Sequence, residues 1–191
     1  MRIKNNLFLN VILLSLIGCA NPLNQATSIR YSDTCQEAER RGRPDIAEQA
    51  CYRALVNVDW GNLGEIQKSD RLYDLGRIKR QLQKFNEAEE LYIASLAIED
   101  KQTPPNYEKT GRRLAELAIL YEEIQNPETG MPYVERLYSL PYVYSGQEKY
   151  VVAAILYVYA EKLNLNWDEQ TTQKLKSKAI EMGFDPKVLK Q

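Results

Sequence analysis

The sequence contains no histidine. That removes both the commonest transition-metal ligand and the commonest general base near neutral pH. Cysteine is present three times, and without histidine these residues offer no zinc-site spacing. No glycine-rich loop precedes a Lys and Ser/Thr pair, so a nucleotide phosphate cradle is not indicated. Charge of one sign is not in surplus: 25 basic residues face 26 acidic ones, which argues against a nucleic-acid or strongly acidic partner. No apolar run approaches the roughly 20 residues needed to cross a bilayer. Adjacent acids occur at Glu89–Glu90 and Glu122–Glu123. Neighbours on a helix point about 100° apart, so neither pair converges on one bond, and both read as solvated helix faces. No cofactor and no metal are expected.

What is present begins with a processing signal. Arg2 and Lys4 form a positive head, and Leu7–Ile17 is an apolar stretch interrupted by one Asn. Leu16-Ile17-Gly18-Cys19 follows and resembles the lipobox of bacterial lipoproteins. The resemblance implies that Cys19 receives a diacylglycerol and, after cleavage before it, an acylated amine. An ordinary signal peptide or an unprocessed anchor ending in cysteine is the alternative. Ala20, rather than Asp, follows the cysteine, which by the same resemblance implies the outer membrane, with attachment facing the periplasm. Residues 1–18 are read as signal peptide, and residues 19–31 as the lipidated cysteine and a flexible tether, polar and without periodicity. Residues 32–183 are read as a helical domain and 184–191 as a C-terminal tail.

The domain is organised around residues 72–98. Leu72, Leu75, Gly76 and Leu82 share one helical face, and Phe85, Ala88, Leu91, Tyr92, Ser95 and Leu96 share another. A polar break at Gln83–Lys84 separates them. Gly76 and Ala88 are small, which allows the two helices to approach closely. The pattern L-x-x-L-G followed by A-x-x-x-Y-x-x-small-L resembles the tetratricopeptide (TPR) helix–turn–helix repeat.

Three further hairpins follow the same scheme. The first spans about 32–58, with Ser32 as N-cap, a stop near Gly42 and Pro44 opening the second helix. That helix carries a stripe of Ile46, Ala47, Ala50, Cys51, Ala54 and Leu55. The third begins after Pro104–Pro105 with Leu114, Leu117, Ala118, Tyr121 and Ile124. Asn126–Pro127 then reads as a cap and first helical residue ahead of Gly130, Val134, Leu137 and Tyr138. The fourth opens at Ser145 and Glu148 and is apolar almost all round from Tyr150 to Leu163. Asn166 and Glu169 resemble a capping box for a last helix that ends near Gly183. Ala47, Ala88 and Gly130 recur at separations of 41 and 42 residues, as do Gly76 and Ala118 at 42. This period exceeds the usual repeat of about 34 and resembles the longer-helix repeats of kinesin light chains. The expected fold is all-α, a TPR-like α-α superhelix of about four hairpins, with an all-helical bundle of chance periodicity as the alternative.

The resemblance carries further implications. Cys35 and Cys51 fall at positions that face each other in a TPR hairpin, which implies a disulfide in an oxidising envelope, with two buried free thiols as the other reading. A TPR groove is lined by first-helix residues that do not pack within their own hairpin. Here these are Tyr73, Arg77, Arg80 and Gln81, then Arg112, Ala115, Ile119, Glu122 and Glu123, then Tyr157 and Glu161, with Arg80 and Arg112 expected to form a basic rim. The implied function is a membrane-tethered, non-enzymatic adaptor or pilotin-like assembly factor that holds another envelope protein. The competing class is an envelope enzyme acting on cell-wall glycan or peptide through a carboxylate. Self-association through the apolar fourth hairpin is a third expectation.

Overall fold

A computed structural model describes residues 21–141, 144–162 and 168–190. The expected signal peptide, Cys19 and Asn166 therefore lie outside the described residues. Among those described, all regular structure is helical. The elements are α1 (Pro22–Arg40), α2 (Pro44–Gly61), α3 (Glu65–Gln81), α4 (Phe85–Glu99), α5 (Tyr107–Glu123), α6 (Pro127–Ser139), α7 (Gly146–Lys162) and α8 (Glu169–Glu181), followed by a 3-10 turn at Pro186–Lys190. The chain divides into two compact units whose boundary falls inside α3, between Arg71 and Leu72.

In the first unit, α1 begins ten residues before the expected start at Ser32. Residues 22–31, expected as a tether, are its first turns. Asn21, not Ser32, is the N-cap: its side chain accepts from the Leu23 N–H, and Pro22 occupies the first helical position. The face toward α2 is Ser28, Ser32, Cys35 and Ala38. Of the two serines in that stripe, Ser32 is expected as the cap and Ser28 falls within the expected tether. Buried, Ser28 donates to the Ala54 carbonyl at 2.9 Å, which offsets the desolvation of its hydroxyl. On α2 the buried residues are Ala47, Ala50, Cys51, Ala54, Val58 and Gly61, while Ile46, expected in the stripe, is 42% exposed. The sulfurs of Cys35 and Cys51 are bonded across this seam, with Cα atoms 5.2 Å apart. The start of α1 closes against the end of α2, because a side chain at Gly61 would meet Asn24 Cβ at 2.6 Å.

In the second unit the small residues make room for tyrosines. A Cβ at Gly76 would lie 2.8 Å from Tyr92 Cε1, so the fully buried Tyr92 ring fills the space above the glycine. At Gly130, on α6, a Cβ would lie 1.9 Å from the Tyr159 hydroxyl. That hydroxyl donates to the Ala118 carbonyl at 2.7 Å. One core runs from Ala88 on α4 to Phe184, including Leu114, Leu117, Leu120, Met131, Val134, Leu137 and Leu156. The apolar α7 packs on α5, α6 and α8, so most of the surface expected to support self-association is covered within the chain. Asp168 caps α8, accepting from the Gln170 and Thr171 N–H groups.

The turns inside the hairpins share one geometry. Gly42, Gln83 and Gln125 all have positive φ. At each, two N–H groups reach back to the last helical carbonyls, as in Gln83 to Arg80 and Lys84 to Lys79. Their spacing of 41 and 42 residues matches the repeat.

Candidate partner-binding groove

The first helices of the second unit's hairpins meet in a groove. Tyr73 and Arg77 on α3, Arg112, Ala115, Glu116 and Ile119 on α5, and Gln147, Glu148 and Val151 on α7 line a cavity of about 380 Å³. Tyr144 lies over Gly111, where a Cβ would meet its hydroxyl at 2.5 Å. The groove is continued by a smaller apolar trough of about 280 Å³ that shares Ile119 and Val151 and adds Ala154, Val158 and Glu122. The apolar floor follows from α7, whose outer positions 151, 154 and 158 repeat at helical spacing.

Of the expected groove residues, the structure brings together Tyr73, Arg77, Arg112, Ala115 and Ile119 in the cavity, with Glu122 in the trough. The others serve different ends. Arg80 donates to Glu116 Oε2 at 3.1 Å and also pairs with Glu123. Burial opposes its charge, but the surrounding carboxylates outweigh that and its pKa is raised. Arg112 is held by Glu108 at 2.6 Å and by Glu148 at 2.5 Å. The expected basic rim is therefore already neutralised: Arg80 ties α3 to α5, and Arg112 ties α5 to α7. Glu122 pairs with Lys162, and Gln81 is exposed at the end of α3. Tyr157 packs against Phe184 with ring centroids 5.1 Å apart, and Glu161 meets Lys176 on α8 at 2.7 Å. These last two belong to the C-terminal hairpin rather than the groove, because the tail folds back onto α7.

Beneath the groove lies a polar cluster that sequence reasoning missed. Arg113 is 2% exposed, donates to Ser95 Oγ at 3.0 Å and to the Lys109 carbonyl at 3.3 Å, and faces Glu99 at 3.5 Å. Its guanidinium also lies 4.5 Å from the centroid of the Tyr73 ring, a cation–π contact in a desolvated setting. Tyr92 donates to Glu116 at 3.0 Å. Burial and the charge of Glu116 push the Tyr73 hydroxyl up to about 12 and raise that of Tyr92 further. The available signal was Ser95 and Glu99, four apart on α4, so that both could meet one cation. Arg113 itself sits between Arg112 and Leu114, and nothing in the sequence marks it as buried.

Of the adjacent carboxylates considered for chemistry, Glu89, Glu122 and Glu123 are engaged and Glu90 is exposed. Glu89 accepts from the Tyr121 hydroxyl, Glu122 and Glu123 are ion-paired, and Glu116 Oε2 receives both Arg80 and Tyr92. Among the described residues no group of three metal-ligating side chains is gathered.

No protein-family model and no curated protein matches the chain. Solved structures do. BtubC (BKLC) from P. vanneervenii superposes with a TM-score of 0.71 at 19% identity, over 85% of this chain and 67% of that one. Two structures of a Podosopora anserina protein described as a kinesin light chain with nearly identical TPR-like repeats, one a single-substitution variant, give TM-scores of 0.63 and 0.64 at 14% identity. They cover 90% and 95% of this chain and 81% and 84% of theirs. At such identities the likeness speaks for the fold: the chain has an all-α, TPR-like helical-repeat fold.

Proposed function

We propose that this chain is a lipid-anchored protein-binding scaffold of the bacterial envelope, attached to the outer membrane through Cys19 and holding a partner protein in the groove of its second unit. The observation that carries the reading is the groove itself: an open apolar floor at Ile119 and Val151, bordered by Tyr73, Arg77 and Gln147, on the first helices of successive hairpins. Tyrosine and arginine in such a setting are the side chains that dominate binding energetics. Of the carboxylates that line the cavity, Glu116 already accepts from a guanidinium and a phenol and Glu148 is paired with Arg112, which supports binding over acid catalysis.

Tyr73 is a poor site for a first test, because its ring packs on Arg113 and Tyr92. The better variant is Arg77→Glu with Ile119→Ser. It is expected to lose the partner captured by crosslinking in the native envelope while remaining folded with helicity close to wild type, the loss of half-buried Ile119 lowering the melting temperature only modestly. Capture that survives this change and disappears instead with Ile93→Ser, an exposed residue of α4, would move the site off the groove. Anchoring is tested separately. Wild type should incorporate labelled fatty acid, and Cys19→Ala should accumulate as unlabelled precursor.

A further inference from the structure

The two most exposed large apolar side chains among the described residues are Trp60, at 79%, and Leu23, at 73%. Both lie at one end of the first unit. Leu23 is on the first turn of α1 and Trp60 on the last turn of α2. The Asn21 N–H donates to the Gly61 carbonyl at 3.0 Å, which pins the start of α1 beside Trp60. Ile66, 54% exposed, lies on the first turn of α3 just beyond.

This end is also nearly free of charge. Residues 20–29 and 60–64 contain no ionisable side chain. Asp59 is paired with Lys68 at 2.9 Å, and Glu65 adds to the field that raises the Lys68 pKa, after the hydrogen bond to Asp59 and against burial. The rest of the first unit is different, with Arg30, Asp33, Glu37, Arg40, Arg41, Arg43 and Asp45 along the other stretch of the hairpin.

We infer that this end of the first unit is a membrane-docking surface, with Trp60 and Leu23 seated in the lipid interface beside the acylated Cys19. The inference rests on the proposed lipid attachment. Cys19 precedes Asn21 by two residues, and a chain spans at most about 3.6 Å per residue. The acyl chains therefore enter the bilayer within roughly 7 Å of the α1 cap. At that distance the exposed end of the hairpin must lie at the headgroup layer. Indole is the side chain that partitions best there, because its ring is apolar and its N–H stays hydrated. With Asp59 and Lys68 paired to each other and Glu65 the one further ionisable group at this end, a lipid surface meets it with little desolvation of charge. A helix beginning at Pro22, in place of a flexible tether, leaves the first unit resting on the membrane.

The test uses the lipidated protein, purified from its envelope and reconstituted into phosphatidylethanolamine–phosphatidylglycerol vesicles with or without brominated acyl chains. The sequence has two tryptophans, so Trp167→Phe leaves Trp60 as the sole reporter. If that variant does not fold, the Trp60 signal is obtained by subtracting the spectrum of Trp60→Phe. Relative to unlipidated protein in buffer, Trp60 emission is expected to move to shorter wavelength and to be quenched several-fold more by the brominated lipid. Protein that carries labelled fatty acid and binds vesicles, yet shows Trp60 emission unchanged and unquenched, overturns the docking surface and leaves the anchor standing. Protein without labelled fatty acid overturns the anchor, and the docking proposal with it.

Discussion

The α1–α2 hairpin and the α5–α8 hairpins solve the same packing problem with different materials. In the first, the seam is serine, alanine and cysteine, with Val58 the largest buried aliphatic side chain on either helix. Such residues let helices approach closely but remove little apolar area from water, at about 25 cal/mol per Å². A covalent bond across the seam compensates. In the second, leucine, methionine, valine and tyrosine interdigitate across several helices, and the disulfide has no counterpart. A hairpin can therefore be held by restricting its unfolded state or by burying volume in its folded one. The repeat pattern does not distinguish the two.

The contrast can be broken most sharply in the larger core. Leu117→Ala removes a fully buried side chain and should cost about 3–5 kcal/mol, read from urea unfolding. Val58→Ala in the first hairpin should cost clearly less. Replacing both Cys35 and Cys51 by serine should cost about 3 kcal/mol, the chain-entropy value for a loop of about 15 residues. Hydrogen exchange should show that loss in α1 and α2, with α5–α8 still protected. Equal loosening of both regions would refute the division of labour.

Alkali tests the second unit from another side. The Tyr73 hydroxyl is pushed up to about 12, chiefly by burial, and burial also raises Tyr92, Tyr121 and Tyr159. A raised folded pKa means the folded state holds its proton longer than the unfolded one. The associated stability is complete below pH 10 and falls between pH 10 and 12. For Tyr73 alone the loss is roughly 2–3 kcal/mol. Phenolate absorbance and unfolding should rise together across that range. Gly130→Ala should cost about 2 kcal/mol, because the new methyl displaces the Tyr159 hydroxyl from Ala118, and Tyr159→Phe should recover part of it. The smallest effect has the opposite sign. Gln125→Gly relieves a positive φ and should raise stability by up to about 1 kcal/mol. Gly42, in the equivalent turn, is already relaxed.

The chain alone made the helices, the hairpins and the period legible, because apolar residues at three-and-four spacing, Pro at helix starts and polar breaks such as Gln83–Lys84 are local signals. It also carried the Cys35–Cys51 pairing, once the repeat register was read. The rest came from which helices pack together. The extent of α1 was hidden because Ser28 and Ser32 are polar, and only the Ala54 carbonyl makes burying Ser28 tolerable. Arg80 and Arg112 looked like a free basic rim, yet their partners Glu116, Glu123 and Glu148 stand 36–43 residues away along the chain. Arg113 is chemically indistinguishable from Arg112 in the sequence. One residue's step, about 100° around α5, carries it into the core against Glu99 and Ser95. Side-chain type is local, but whether a charge meets water or a distant carboxylate is set by which helices lie beside it.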